Sequence, residues 1–268
     1  MRNQLRRLLP ILLLAVACLY TYKLEVHETH TYAAAGFTRL DAKTQNGAIS
    51  VTASPDTITI DVVKHAYGRD KAGAEEAIEN VVYSDMVVGD ELRVKAEMPS
   101  GSRPYGASFT VTTPDSTDLS LATTNGDVSV TNTVGDVTAS TTNGSVELDS
   151  TTGLASVSTT NGSLNVKVHS GAFYGATTNG AIDCDLAGLR VTEEVGLATT
   201  NGKVTLWLPD DVSAVIEATN TNGFITIYDF TVTYETQTEH HLRARIGSGA
   251  SSITITTTNG DVVVNRRP

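Results

Sequence analysis

The residues best placed for chemistry are acidic and amide side chains that recur at a fixed interval. Glu147, Asn165 and Asp183 stand 18 residues apart, and Asp149, Lys167 and Asp185 repeat the same interval two positions on. If each interval is one turn of a stacked β structure, neighbouring members lie about 5 Å apart on one outer face. Carboxylates at that separation can hold a cation or share the work of an acid/base pair.

Polysaccharide lyases and other enzymatic parallel β-helices carry acids, lysines and arginines on one outer face in this way. No arginine joins the cluster in the sequence frame, so the plainer reading is a surface ladder in which Lys167 offsets Asp149 and Asp185. Glycines also return every nine residues from Gly126 to Gly180, as in calcium β-rolls. A calcium turn needs aspartate after glycine so that its oxygens converge on the ion. Here Asp127 and Asp136 give way to Ser145, Leu154, Ser163, Ala172 and Ala181, which argues against turn calcium. An ice-binding face of outward Thr-x-Thr is also disfavoured, because one threonine of each pair faces inward.

Aromatic residues supply a second candidate site. Trp207 and Tyr228 share an outward column in what the repeat makes consecutive coils, and Phe224 lies nearby. An insertion over 229–247 follows, holding Phe230, Tyr234, His240 and His241. Either the insertion folds over the aromatics as a satellite core, or Trp207, Phe224 and Tyr228 form an exposed platform for a sugar or protein partner. Adjacent His240 and His241 point to opposite faces of a strand, a weak metal signal. His65 and His169 show no evident companions. With no phosphate loop, Ser-His-Asp spacing or Cys/His set, we expect no catalytic residue, metal or cofactor.

The elements that position these residues are set by Asn-Gly pairs. Asn125-Gly126, Asn143-Gly144, Asn161-Gly162 and Asn179-Gly180 recur every 18 residues, and Asn201-Gly202, Asn222-Gly223 and Asn259-Gly260 continue the frame at wider spacing. Six residues before each Asn stand Leu119, Val137, Ala155, Phe173, Val195, Ile216 and Ile253; three after it stand Val128, Val146, Leu164, Ile182, Val204, Ile225 and Val262. The residues between alternate as Ser, Thr, Asp, Glu and Lys, the period-two pattern of strands with one buried face. Two residues before most of these Asn, though not Asn222, an inward threonine can bond backbone freed at the corner. Asn tolerates the left-handed conformation and Gly takes positive φ freely, which accounts for the pair as a turn, and stacked asparagines can form a ladder.

Asn-Gly is also a hairpin signal, which would give an antiparallel meander. A meander would leave one apolar face open, whereas a solenoid closes that face on its own opposite wall. The expected fold is therefore all-β: a parallel β-solenoid, or β-helix, of Asn-Gly-keyed coils with one short N-terminal capping helix. An early coil, with Leu40, Ala42, Ile49 and Val51 in the same columns, is separated in sequence from the others.

Three arginines precede the apolar residues 8–20, the pattern of a secretory signal and short for a membrane span. Ala15-Val16-Ala17 offers a cleavage site, and Cys18 after it is a possible lipidation site; a cleaved signal, a lipidated Cys18 and an uncleaved anchor all stay open. Cys184 falls in a buried column, so no disulfide is expected. The net charge is −11, or −14 without Arg2, Arg6 and Arg7. That balance argues against nucleic acid and against electrostatic attraction to anionic lipid, leaving membrane contact to the N-terminal anchor or lipid.

The chain thus divides into a signal or anchor (1–17), a spacer (18–36), an N-terminal β segment (37–118) and the repeat region (119–268). Asp70 caps a helix expected over 71–82, and a hairpin turns at Gly89-Asp90. Pro114-Asp115 and Pro209-Asp210 each lead into an Asn-Gly coil.

An exported N-terminus, a short helix, Pro-Asp corners and Thr-Thr-Asn-Gly coils together resemble the bacterial and archaeal DUF4097 family over about residues 37–265. That resemblance implies an adhesin-like cell-envelope protein of β-strand repeats, with no catalytic residues to carry over. The expected function is a non-enzymatic, exported surface-interaction module for an unidentified glycan, protein or envelope partner. The alternative is a lyase-like β-helix enzyme using Glu147, Asp149, Asp183 and Asp185.

Overall fold

The computed structural model describes residues 22–54, 57–99 and 105–268. The signal region and Cys18 lie outside the described residues. Strands β1 (Tyr22–Ala33), β2 (Arg39–Lys43), β3 (Ile49–Ala53) and β4 (Thr57–Gly68) precede helix α1 (Lys71–Ile78). Then come β5 (Val82–Val88), β6 (Glu91–Glu97), β7 (Tyr105–Thr113), β8 (Asp118–Ala122), β9 (Val128–Thr131), β10 (Val137–Asn143), β11 (Val146–Thr152) and β12 (Ala155–Asn161). The series continues with β13 (Leu164–Ser170), β14 (Phe173–Asn179), β15 (Ile182–Gly188), β16 (Glu194–Asn201), β17 (Val204–Leu208), β18 (Ala214–Thr219) and β19 (Ile225–Ile227). Strands β20 (Val232–Gln237), β21 (His241–Ile246), β22 (Ser251–Asn259) and β23 (Val262–Arg266) follow.

The molecule is nearly all-β, with parallel-rich sheets that do not close into a barrel. From β8 to β17 the chain alternates between two sheets, so each coil gives one strand to each wall. The first sheet runs β1-β4-β7-β3-β9-β11-β13-β15-β17-β23-β19; the second runs β20-β21-β18-β22-β16-β14-β12-β10-β8-β2-β6-β5. Equivalent residues lie in register: Val146 pairs with Leu164, and Leu164 with Ile182. Their side chains, with Phe173, Val157 and Leu148, are buried between the walls. The result is a solenoid-like stack whose inward columns match the alternation in the sequence.

Each corner is held by two sets of side-chain hydrogen bonds. Asn143 Nδ2 donates to Asn125 Oδ1 at 2.7 Å, Asn161 to Asn143 at 2.9 Å, and Asn179 to Asn161 at 2.9 Å. The ladder runs on through Asn201, Asn259 and Asn222. One step inward, Thr141, Thr159 and Thr177 donate to the carbonyls of Gly126, Gly144 and Gly162 at 2.8–2.9 Å. These hydroxyls are nearly buried, so an unmade bond would leave a polar group stranded.

At Gly223 and Gly260 the corner glycine takes the positive φ its turn chemistry predicts, but at the other repeat corners its role differs. Gly126, Gly144, Gly162, Gly180 and Gly202 do not have positive φ. They are glycines because the backbones of successive coils touch: a Cβ at Gly162 would lie 1.9 Å from the Gly144 oxygen.

Stacking order departs from chain order at both ends. Strands β22 and β23 slot between β16/β17 and β18/β19, although β18/β19 come earlier in sequence. The early coil β2/β3 stacks directly on β8/β9, with Leu40 opposite Leu119 and Ile49 opposite Val128. Residues 22–33, within the expected spacer, instead form strand β1 along β4. Charged residues interrupt both faces of β1, including Glu28 beside Leu24 and Val26, and this disguises its alternation. Helix α1 ends at Ile78, earlier than expected, where the Asn80 amide bonds the Glu76 carbonyl. Asp70 caps it by accepting from Gly73 N at 2.8 Å, and the helix packs on β4 and β1 at that end of the stack.

Candidate functional site: a tryptophan-lined cleft

Strands β11, β13, β15, β17 and β23 lie side by side, so their outward residues form rows across neighbouring coils. Glu147 stands beside Asn165, Asn165 beside Asp183, and Asp183 beside Thr205. In the parallel row Asp185 stands beside Trp207, and Trp207 beside Asn265. The register of β13 shifts after Val166, where Val168 takes a positive φ of 56°. That conformation is costly for a β-branched residue and turns the strand next to Lys167.

The expected ion pairing is corrected by these positions. Lys167 pairs with Glu147 rather than with Asp149 and Asp185, and Asp149 accepts from Ser150. An arginine does join the cluster. Arg267 N is fixed to the Leu208 carbonyl at 2.8 Å, and its side chain crosses to Asp185, with Nε 2.5 Å from Oδ1 and Nη2 3.2 Å from Oδ2. Sequence reasoning missed this contact because it joins residues 82 positions apart. The buried columns at Val262 and Val264 mark a strand there, but only its pairing with β17 brings Asn265 beside Trp207 and Arg267 within reach of Asp185.

Together these side chains enclose a cleft of about 420 Å3, lined by Asn165, Val166, Lys167, Asp183, Asp185, Trp207, Arg267 and Pro268. The volume falls in the range of small-ligand sites, and an apolar ring with a few convergent polar groups is their usual make-up. Among the described residues, no cation pairs with Asp183. Chemically the cleft can stack a ring on the indole and hydrogen-bond a ligand through the amide and the carboxylates.

The other aromatics lie elsewhere. Strand β23 separates β17 from β19, so Trp207 and Tyr228 are not on consecutive coils but flank Asn265, about 10 Å apart. Tyr228 is half exposed and Phe224 is 71% exposed. The insertion does not cover them, because hairpin β20–β21 extends the opposite sheet beside β18. It buries Leu242, Ala244 and Ile246 there instead. His240 Nδ1 lies 3.0 Å from Asn220 Oδ1, and His241 Nε2 lies 3.3 Å from Glu217 Oε1. Among the described residues, no group of three or more His, Cys, Asp or Glu is arranged to hold a metal. Cys184 is fully buried, and that burial pushes its thiol pKa up.

His169 does have companions. It is buried, with Nδ1 2.9 Å from Thr151 Oγ1 and its ring edge-on to Phe173 at 5.6 Å. Burial lowers its pKa below the ordinary 6.5. The unfolded chain therefore takes up a proton below about pH 6.5 that the folded state refuses until a lower pH. Stability is unaffected by this group above 6.5 and falls as pH drops below it, by at most about 1.4 kcal/mol per pH unit. His65, also lowered by burial, acts in the same direction. The urea midpoint should fall between pH 7.5 and 5.5, and His169→Gln should flatten that slope. An unchanged slope in the variant would count against the assignment.

The sequence model of the Toastrack DUF4097 family matches residues 23–265. The chain belongs to this family. Among solved structures, this Toastrack chain is similar to a candidate cell adhesion protein from Clostridium sporogenes, with 12% identity over 91% of this chain and 100% of that one and a TM-score of 0.40. It is also similar to a candidate adhesin from Bacteroides fragilis, at 14% identity over 90% and 97% of the two chains and a TM-score of 0.47. A candidate lipid-binding protein from Parabacteroides distasonis is 10% identical over 90% and 97%, with a TM-score of 0.39. No curated protein matches the Toastrack chain.

Proposed function

We propose that this is an exported, non-catalytic cell-envelope protein that binds a saccharide in the Trp207 cleft. The observation that carries the reading is a half-buried indole beside Asp183, Asn165 and the Asp185–Arg267 pair. All but Arg267 and Pro268 sit on strands, and a rigid face holds a ligand at low ordering cost. The C–H face of a pyranose matches an indole, and its hydroxyls match carboxylate and amide acceptors. We further propose that the Asn-Gly pairs key each coil to the next through the ladder and the close glycine contact.

The non-catalytic reading is supported by the engagement of the carboxylates. Glu147 is paired with Lys167 and Asp185 with Arg267, which leaves Asp183 as the one unpaired acid lining the cleft. Two free, adjacent carboxylates would suit acid/base work better. Arg267 does favour the lyase-like alternative more than the sequence did, since such faces combine acids with arginine. Export is supported by Arg2, Arg6 and Arg7 ahead of an apolar run.

A glycan array with the wild-type protein and Trp207→Ala tests the reading. The variant should lose at least about tenfold in affinity for every glycan bound, with its thermal midpoint kept. Equal binding by the variant would reject the site. Depolymerisation of a bound glycan by the purified protein would reject the non-catalytic role. Recovery of the full chain from the cytosol alone would reject export.

A further inference from the structure

We propose that the Trp207 cleft selects a saccharide bearing a free amine, with the ammonium held against Asp183. The inference rests on the saccharide reading and adds the charge of the ligand. Both cations lining the cleft are already neutralised, Lys167 by Glu147 and Arg267 by Asp185. Asp183 has only an amide, Asn165, and a hydroxyl, Thr205, beside it in its row. The cleft therefore offers one uncompensated negative charge, on a chain whose net charge is −11.

The geometry suits one sugar ring. Asp183 lies one coil and two strand positions from Trp207, roughly 8 Å by strand and sheet spacings. A pyranose stacked on the indole places an equatorial substituent within reach of that carboxylate. An ammonium there gains a charge-assisted hydrogen bond and lies near the ring's negative face. An acidic sugar would meet Asp183 while both cations lining the cleft are already paired, and the nearest other cation, Lys203, is exposed to solvent two positions before Thr205, so uronates are selected against.

The test is calorimetric titration of the full chain with three tetrasaccharides: fully deacetylated chitotetraose, its N-acetylated form, and tetragalacturonate. The deacetylated tetramer should bind about tenfold tighter than the acetylated one at low salt, and tetragalacturonate weakest. Asp183→Asn should bring the two chitin-derived ligands to within about twofold, and 0.5 M NaCl should narrow the gap in the wild type. Asp183 is exposed, so folding of the variant is checked by its thermal midpoint. Equal affinities for the two tetramers, unchanged in Asp183→Asn, would overturn the amine inference while leaving saccharide binding intact. Binding to none of a wider set of neutral sugars would overturn both.

Discussion

Gly162→Ala should destabilise the fold by about 4 kcal/mol or more, as should the same change at Gly180 and Gly202, where the contact is equally close. The added Cβ would stand 1.9 Å from the Gly144 oxygen and 2.5 Å from its carbon. Both sides of that contact are backbone, so no rotamer change relieves it. The same Gly144 carbonyl accepts from Thr159, and moving it breaks a nearly buried hydrogen bond as well. Gly188→Ala serves as control, since its Cβ would meet only Ser170 Oγ at 3.5 Å. Urea denaturation followed by circular dichroism reads both. A Gly162→Ala midpoint equal to that of the control would sink the close-contact account of the Asn-Gly corner.

Phe173→Ala should cost about 3–5 kcal/mol, through lost burial and a cavity the coils cannot close. Phe173 is fully buried and supports the ring of His169. Two residues on, in the same wall, the inward position is Gly175 where neighbouring coils carry Val157 and Leu197. A Cβ at Gly175 would lie 2.7 Å from the Phe173 ring, so the missing side chain is the space the ring occupies. Gly175→Ala alone should therefore cost about 1–3 kcal/mol by overpacking. In a Phe173→Leu background the same change should be neutral or stabilising. Additive effects in the two backgrounds would show that the positions do not share one volume.

How much of this was readable beforehand depended on whether the cause was local. The inward columns were legible because burial imposes a period of two on every strand, and the threonine bonds followed from parity. The asparagine ladder followed from equal spacing. Stacking order was not legible: Ile216 and Ile253 carry the same pattern, and nothing local says which lies nearer Val195. That single ambiguity separated Trp207 from Tyr228 and hid Arg267 from Asp185. Turn chemistry alone does not distinguish the reason for Gly162, because a tight turn and a crowded backbone ask for the same residue. Strand β1 is obscured by Glu28 and His30, which face Lys64 and Asp85.

The order of windings near residues 204–266 bears on how the polypeptide folds during synthesis. Strands β18 and β19 leave the ribosome before β22 and β23, the layer that lies between them and β16/β17. Growth by simple accretion therefore halts there. Strand β18 can pair antiparallel with β21, and β21 with β20, so residues 214–246 can assemble as a local three-stranded flap. The flap must then stay off β16 and β17 long enough to admit β22 and β23, which act as a keystone. Until residues 251–266 arrive, β18 and β19 have no floor to rest on.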